Sequence, residues 1–214
     1  YRQFHQFGLE LIGEEHALYD AWLINIALIV LASLGLKGVV VEINSIGDDR
    51  CRPSYRKALV SYYRNKVNQL CADCQRRYKD NPLRLLDCKN ENCQEFKTRA
   101  PNFIDHLCED CRKHFTAVLE YLDELKISYL LNPHLVRGLD YYCRTVFEVY
   151  PEEEMSLLNK QAQEKKTTPL ALISGGRYDG LVQQLGGRST PAVGFAAGLE
   201  RIVNVIKKSN AKVA

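Results

Sequence analysis

Residues 135–150 combine a strand pattern with a cluster of polar side chains. The second half, from Thr145 to Tyr150, alternates β-branched and aromatic residues, which is typical of a β-strand. The first half crowds Arg137, Asp140 and two tyrosines around Gly138, a residue type that lets the backbone bend or a ligand approach closely. A strand whose polar side chains face water would have the same composition. These residues alone therefore indicate a bent strand and leave its function open.

The segment from Phe4 to Ile12 is a second candidate strand, because its residues alternate in character. In a strand, successive side chains point to opposite faces of the sheet. The alternation predicts an apolar back and a polar front, although an ordinary water-facing sheet would show it too. The front carries Phe4, Gln6, Gly8 and Glu10, and the back carries Phe7, Leu9 and Leu11.

Residues 52–86 are rich in positive charge, with nine lysines and arginines against two aspartates. Their spacing predicts a helix from Tyr55 to Tyr78, and Pro82 ends the helical pattern. A basic helical face suits contact with RNA phosphates, but a solvated surface has the same charge pattern. The tyrosines that lie among the basic residues are Tyr55, Tyr62, Tyr63 and Tyr78.

The chain has eight cysteines, and four of them form CxxC pairs. Such usage fits a reducing compartment, with free thiols or bound metal, better than disulfides. Two CxxC pairs predict one structural zinc site, with ordinary buried thiols as the alternative. Cys88 and Cys93 lie in the same part of the chain. The predicted zinc ligands are Cys71, Cys74, Cys108 and Cys111.

Bulk properties restrict the class of protein. A net charge of +3 is too mild to indicate nucleic-acid binding by itself. The longest apolar run, Ala21 to Leu34, is too short to span a bilayer, and no charged-then-apolar segment at the start suggests secretion. We therefore expect a cytoplasmic protein without membrane contact. Because the chain opens within a strand pattern and without methionine, we also expect a piece of a longer protein.

Four segments resemble, in order and spacing, the sequence signatures of histidyl-tRNA synthetases. Residues 135–142 (LVRGLDYY) resemble the histidine-specific signature of that family, and residues 175–181 (GGRYDGL) resemble its second histidine-binding segment. Residues 194–201 (GFAAGLER) resemble motif 3 of class II synthetases. Residues 1–10 (YRQFHQFGLE) then resemble the second strand of motif 2. The resemblance covers nearly the whole chain, more loosely between residues 50 and 128.

The resemblance implies an α+β fold, with a mostly antiparallel, class II synthetase-like sheet flanked by helices. It implies that residues 1–50 and 129–214 form part of a class II catalytic domain. Residues 51–128 would form a helical insertion that leans over the acceptor arm of the tRNA. Zinc is not a general property of the family, so the resemblance does not bear on the cysteines.

The resemblance also implies a reaction. The carboxylate of histidine attacks the α-phosphorus of ATP, which is used with Mg2+, and the activated histidine then passes to tRNA(His). Arg137 would be the catalytic residue at the α-phosphate of ATP, Arg201 would hold the outer phosphates, and Phe4 would stack on adenine. The expected histidine-binding residues are Gln6, Glu10, Tyr141, Tyr142 and Tyr178, of which Glu10 and Tyr142 would bond the imidazole nitrogens.

Several parts of the family pattern have no counterpart in the chain. These are motif 1, which builds the class II dimer, the first strand of motif 2, and an anticodon-binding domain. We therefore expect a homodimer in the full-length protein and incomplete catalysis by this chain alone.

Two other hypotheses stay open. One is a non-catalytic paralogue, either a regulatory subunit of histidine biosynthesis or a tRNA-sensing domain. The other is a zinc-stapled RNA-binding module without enzyme ancestry, which would explain the basic stretch but not the glycine-rich segments. The presence together of Arg137, Tyr141, Tyr142 and Arg201 favours the ligase.

Overall fold

The computed structural model describes residues 2–153, 155 and 170–209. Within these residues, six strands form one sheet in the order β1-β6-β5-β4-β2-β3. The strands are β1 (Gln6–Ile12), β2 (Val39–Ser45), β3 (Tyr129–Leu131), β4 (Cys143–Pro151), β5 (Ile173–Arg177) and β6 (Ala192–Gly198). The α-helices are α1 (Leu18–Ser33), α2 (Arg52–Tyr63), α3 (Ala72–Asp80), α4 (Glu91–Thr98), α5 (Glu109–Glu124), α6 (Leu181–Gln184) and α7 (Leu199–Ser209). Short 3-10 helices occupy Val67–Gln69, Pro82–Leu85 and Phe103–His106.

The sheet is antiparallel except at one edge. Strands β1, β6, β5, β4 and β2 pair antiparallel in that order, and β3 pairs parallel with β2. Parallel neighbours require a long crossover, which the intervening helices α2 to α5 supply. The predicted α+β class with a mostly antiparallel sheet is confirmed.

The predicted helix from Tyr55 to Tyr78 is wrong in its continuity, because it is two helices. Helix α2 ends at Tyr63, and α3 begins only at Ala72. Between them the backbone of Leu70 and Cys71 is extended, and the Cys71 amide donates to the Cys93 sulfur instead of to a helical carbonyl. Helix α3 ends at Asp80, two residues before Pro82, as expected if Pro82 ends the helical pattern.

Helices α1 and α5 bury one face of the sheet and form a first hydrophobic core with it. The predicted apolar back of β1 lies against this first core through Phe7, Leu9 and Leu11. Alternation along each strand therefore turns Gln6 of β1, Glu148 of β4 and Ser174 of β5 toward the opposite face. The buried side chains of the first core include Leu23, Ile24 and Leu31 of α1, Val118 and Leu122 of α5, and Ile43, Phe147 and Ile173 of the sheet.

A second core lies within the helical segment that follows β2. It includes Tyr55, Leu59 and Tyr63 of α2 together with Phe103, all of them buried. Leu135 and Val146 join the same cluster, so the second core continues into the strand pattern at residues 135–150. Packing therefore divides residues 51–128 between two cores, because most of α5 closes the first core and the earlier helices build the second.

A buried ion pair joins the sheet to both helices of the first core. The Arg177 guanidinium, fully buried at the end of β5, donates from Nε to the Asp20 carboxylate of α1 at 3.1 and 3.2 Å. Arg177 Nη1 also donates to the Glu14 carbonyl and the Asp179 carboxylate, and His114 of α5 lies 3.4 Å from Asp20. Burial alone raises the pKa of Asp20, but hydrogen bonds and charge from His114 and Arg177 outweigh it and lower that pKa.

We predict that Asp20→Asn lowers the free energy of unfolding by about 3–5 kcal/mol, because it leaves the Arg177 charge buried without its partner. Urea unfolding at neutral pH measures this change. Because the folded-state pKa of Asp20 is lowered, its contribution is present above the ordinary aspartate pKa and disappears as pH falls through the folded-state value. The difference between wild type and variant should therefore shrink in acid.

The matched control is Asp73→Asn, which removes a carboxylate from the exposed Asp73–Arg76 pair. Exposed ion pairs contribute little to stability, so the control should unfold like wild type. An Asp20→Asn variant as stable as this control would contradict the role assigned to the buried pair.

Candidate active site

A cavity of about 600 Å³ opens on the polar face of the sheet. Strands β1, β4, β5 and β6 form its floor, and residues of the 135–142 segment form one wall. Six of the residues predicted from the sequence line it: Phe4, Gln6, Arg137, Tyr141, Tyr142 and Arg201. The structure thus brings together residues that are up to about two hundred positions apart in the chain.

Glu10 and Tyr178 lie beside the cavity and are bonded to each other. The Tyr178 hydroxyl donates to Glu10 Oε2. Strand pairing sets Glu10 opposite Gly194 of β6, and a Cβ at Gly194 would lie 1.5 Å from Glu10 Oε2. Only glycine at this position leaves room for the carboxylate. Burial, followed by the bond to Glu10, raises the pKa of Tyr178.

Three tyrosines form an aromatic cluster at this end of the cavity. The rings of Tyr141 and Tyr142 are 4.6 Å apart, and Tyr178 lies edge-on to both at 5.8 and 6.2 Å. Burial and a hydrogen bond with Tyr142 raise the pKa of Tyr141 to about 12. The Tyr141 hydroxyl therefore stays protonated at neutral pH and can act as a hydrogen-bond donor to a ligand.

Glu148 holds the Arg137 side chain in place. Arg137 Nη1 donates to Glu148 Oε1, and the Tyr150 hydroxyl donates to Glu148 Oε2. The Ser174 hydroxyl adds a bond to Glu148 Oε1 at 3.2 Å. The guanidinium carbon of Arg137 lies 5.4 Å from the ring centre of Tyr142. Among the described residues, the buried Nε of Arg137 has no hydrogen-bond partner.

Sequence reasoning missed Glu148, Tyr150 and Ser174. The signal was present in the alternation of β4, which places Glu148 and Tyr150 on the same face of the strand. Ser174 lies directly opposite Glu148 on β5. Pairing between distant strands has to be known before that contact can be found, and the sequence did not give the strand order.

Arg201 and Glu200 lie at the start of α7. Arg201 Nη1 donates to the Ala171 carbonyl at 2.8 Å. The Glu200 carboxylate accepts bonds from the His5 amide at 2.9 and 3.0 Å and from the His5 ring at 2.8 Å. These bonds, the one from the His5 backbone first, lower the pKa of Glu200 to about 2.

Positive charge predominates in the cavity. Its cationic side chains are Lys89, Arg137 and Arg201, and its anionic ones are Glu148 and Glu200. Both carboxylates already accept hydrogen bonds from the protein. An anionic ligand is therefore favoured over a cationic one.

The helical segment after β2 is bonded to the 135–142 segment. Arg52 of α2 donates to the carbonyls of Asp140 and Tyr142. The Asn81 side chain donates to the Asp140 carboxylate at 2.7 Å. The wall of the cavity therefore rests on α2 and on the end of α3.

The structure does not bring the two CxxC pairs together. Cys71 and Cys74 converge with Cys88 and Cys93, whereas Cys108 and Cys111 converge with Cys51 and Asp48. The prediction of one site made from Cys71, Cys74, Cys108 and Cys111 is therefore wrong in its pairing. The reason is the break between α2 and α3, which turns Cys71 toward α4.

Comparison with known proteins agrees with the fold. The profile of the histidyl-tRNA synthetase family matches residues 1–202. The chain is 47% identical over 209 residues to the histidine–tRNA ligase of Thermodesulfovibrio yellowstonii. The aligned residues make up 98% of this chain and 47% of that protein.

Solved structures show the same fold. The crystal structure of apo S. aureus histidyl-tRNA synthetase superposes with a TM-score of 0.74 at 35% identity, covering 99% of this chain and 49% of that one. A Bacillus halodurans protein described as ATP phosphoribosyltransferase regulatory subunit/histidyl-tRNA synthetase has a TM-score of 0.57 at 24% identity, covering 94% and 53%. The second likeness concerns the fold alone.

The antiparallel sheet and these matches place the chain in the class II aminoacyl-tRNA synthetases. Within that class, the chain belongs to the histidyl-tRNA synthetase family. This membership confirms the resemblance found in the sequence and excludes an RNA-binding module without synthetase ancestry. The chain spans about half the length of the curated relatives it matches. No helix in the described part of the chain is long and apolar enough to cross a membrane.

We predict that Arg137 and Glu148 are energetically coupled. A double-mutant cycle of Arg137→Met and Glu148→Gln should give a coupling energy of about 1–3 kcal/mol, as for hydrogen bonds to charged groups in partly buried sites. The unfolding free energies of the four proteins in urea supply the measurement. The exposed pair Arg99–Glu95 is the control and should show no resolvable coupling. Equal coupling in the two pairs would contradict the contact.

Proposed function

We propose that this chain is the catalytic-core part of a histidine–tRNA ligase. The reaction is ATP-dependent activation of histidine to histidyl-adenylate, followed by transfer of histidine to tRNA(His). The observation that carries the proposal is the cavity, in which six predicted site residues converge from three separate segments. Family membership and the relatives, which are histidine–tRNA ligases, support the same reaction.

In this proposal, histidine binds at the end of the cavity near Glu10. Glu10 and Tyr142 would bond the two imidazole nitrogens, while Gln6, Tyr141 and Tyr178 would line the same pocket. A pocket whose own polar groups need partners rejects apolar isosteres, because those groups would be left unpaired. The Glu10–Tyr178 bond supports this placement, since it orients the carboxylate before any ligand arrives.

ATP, with Mg2+, would occupy the cationic part of the cavity. Phe4, whose side chain is 62% exposed, is available to stack on adenine. Arg137 would stabilise charge as the α-phosphorus becomes five-coordinate, and Arg201 would hold the outer phosphates. Chemistry at phosphorus depends mainly on positioning and on preorganised charge. The contacts of Glu148 with Arg137 support that role, because they fix the guanidinium in one orientation.

The remaining parts of the proposal concern the larger assembly. Residues 1–50 and 129–214 would belong to the catalytic domain, and residues 51–128 would be an insertion facing the tRNA acceptor arm. The full-length protein would act as a homodimer in the cytoplasm. Because the chain spans about half the length of its relatives, it would be incomplete for catalysis alone.

A non-catalytic paralogue is the alternative. Its fold would be the same, as the likeness to the Bacillus halodurans protein illustrates. Such a protein could bind histidine without activating it. The two hypotheses differ in whether histidine stimulates exchange of pyrophosphate into ATP.

We predict that Arg137→Lys in the full-length gene product lowers the rate of histidine-dependent pyrophosphate exchange by about a hundredfold to a thousandfold. Lysine keeps the charge but loses the planar fork that can bond two oxygens at once. The KM for histidine should change little, because the lost contact matters mainly in the transition state.

Two further variants make this test specific. Arg201→Lys should raise the KM for ATP more than Arg137→Lys does. Arg76→Lys, on the exposed surface of α3, should behave like wild type. If the Arg137→Lys variant exchanges pyrophosphate at the wild-type rate, Arg137 is not catalytic. If the wild-type protein itself shows no histidine-dependent exchange, the non-catalytic paralogue is favoured.

We predict that Gly194→Ala weakens histidine binding. The new methyl group displaces the Glu10 carboxylate, and losing a hydrogen bond to a charged group corresponds to a rise in Kd of roughly 10- to 100-fold. Calorimetric titration of the full-length protein with histidine measures this. The control is Gly38→Ala, where the nearest atom to a new Cβ is 3.5 Å away. Unchanged binding by a folded Gly194→Ala protein would rule out Glu10 as a histidine ligand.

A further inference from the structure

Four cysteine sulfurs converge at one point within the second core. Cys71 precedes α3 and Cys74 lies in its first turn, while Cys88 follows the 3-10 helix Pro82–Leu85 and Cys93 lies in the first turn of α4. All four sulfurs lie within 4.8 Å of one another. Three turns of chain therefore meet through their thiols.

The spacing of the sulfurs matches a metal ion rather than a disulfide. The Cys71 and Cys88 sulfurs are 3.8 Å apart, whereas a disulfide bond is about 2.05 Å long. Four sulfurs around a tetrahedral zinc ion at about 2.3 Å are separated by about 3.8 Å from one another. The Cys71–Cys88 separation equals the edge of that tetrahedron, and the other sulfurs lie within 4.8 Å, close enough for one ion to reach all four.

The surroundings of the thiols suit a thiolate cluster. The Cys71 amide donates to the Cys93 sulfur at 3.3 Å, and the Asn90 amide donates to the Cys88 sulfur at 3.4 Å. Hydrogen bonds of this kind orient ligands and stabilise the negative charge on sulfur. Cys74, Cys88 and Cys93 are buried, so the cluster is shielded from water.

The second group of converging ligands is a poorer site. It contains Asp48, Cys51, Cys108 and Cys111. Its carboxylate is already paired, because Asp48 Oδ2 accepts bonds from Arg50 Nε at 3.1 Å and Nη2 at 2.9 Å. The Arg50 guanidinium thus already pairs with the Asp48 carboxylate that a metal ion would need as a ligand. Arg77 and Lys89 lie beside Cys71 and Cys88 of the first group, but in the described part of the chain neither side chain is hydrogen-bonded to a cysteine sulfur there.

We propose that Cys71, Cys74, Cys88 and Cys93 bind one zinc ion as four thiolates. Four protein ligands leave no open coordination position, so the role is structural. The ion fixes the backbone on either side of Lys89, whose side chain lines the candidate active site. This inference does not depend on the proposed function, since zinc binding and histidine activation are measured separately.

Metal analysis of the purified protein tests the site. We expect zinc in the wild-type protein, and Cys88→Ser/Cys93→Ser should lose one zinc per chain relative to it. X-ray absorption at the zinc edge should show four sulfurs at about 2.3 Å. The matched control, Cys108→Ser/Cys111→Ser, removes the same number of thiols from the second group and should keep this four-sulfur zinc. Zinc retained by Cys88→Ser/Cys93→Ser, or iron in place of zinc, would overturn the proposal.

A measurement on the wild-type protein covers the case in which the serine variant fails to fold. Alkylation followed by peptide mass spectrometry should find Cys71, Cys74, Cys88 and Cys93 protected in the zinc-loaded protein. Removal of zinc by a chelator should make these four reactive. Equal reactivity of the four thiols before and after chelation would also overturn the proposal.

Discussion

The buried pair of Arg177 and Asp20 fixes the geometry on which the cavity depends. Arg177 ends β5, and the next residue is Tyr178, whose hydroxyl meets Glu10. A buried charge left without its partner is strongly destabilising, so the pair disfavours any packing of α1 on β5 that separates Asp20 from Arg177. His114 extends the constraint to α5. A contact on the core side of the sheet thus determines where a side chain stands on the opposite side.

Because side chains alternate along each strand, one face of the sheet packs against the core and the other face lines the cavity. Apolar residues pack against α1 and α5, while the alternate positions of β1 and β4 supply Gln6 and Glu148 to the cavity and set Glu10 beside it. Gly194 of β6 leaves room for the Glu10 carboxylate. The side chains that face a ligand are therefore mounted on a rigid sheet. Stabilisation of charge in a transition state requires groups that are held in place in this way.

Much of this could be predicted from short segments of sequence, because alternation and signature residues are local properties. The polar front of β1 and the convergence of Arg137 with Tyr142 follow from such signals. Glu148 lies only 11 residues from Arg137, so the alternation of β4 carried a local signal for it that was missed. Asp20 could not be predicted in the same way, because its contact with Arg177 joins elements 157 residues apart. The cysteines show the limit most clearly: CxxC spacing marks ligands, but the turn at Cys71 decides that Cys93, not Cys108, completes the group.

The pairing of β1 with β6 has a consequence for the order of folding. Gln6 pairs with Gly198, so the first strand of the chain finds its only described neighbour near residue 200. Chains are synthesised from the N-terminus, and pairing over long sequence separation is slow. The described partner of β1 is therefore made about 190 residues after β1 itself. Glu10 gains its neighbour Gly194, which leaves room for the carboxylate, only when β6 has been synthesised and has paired.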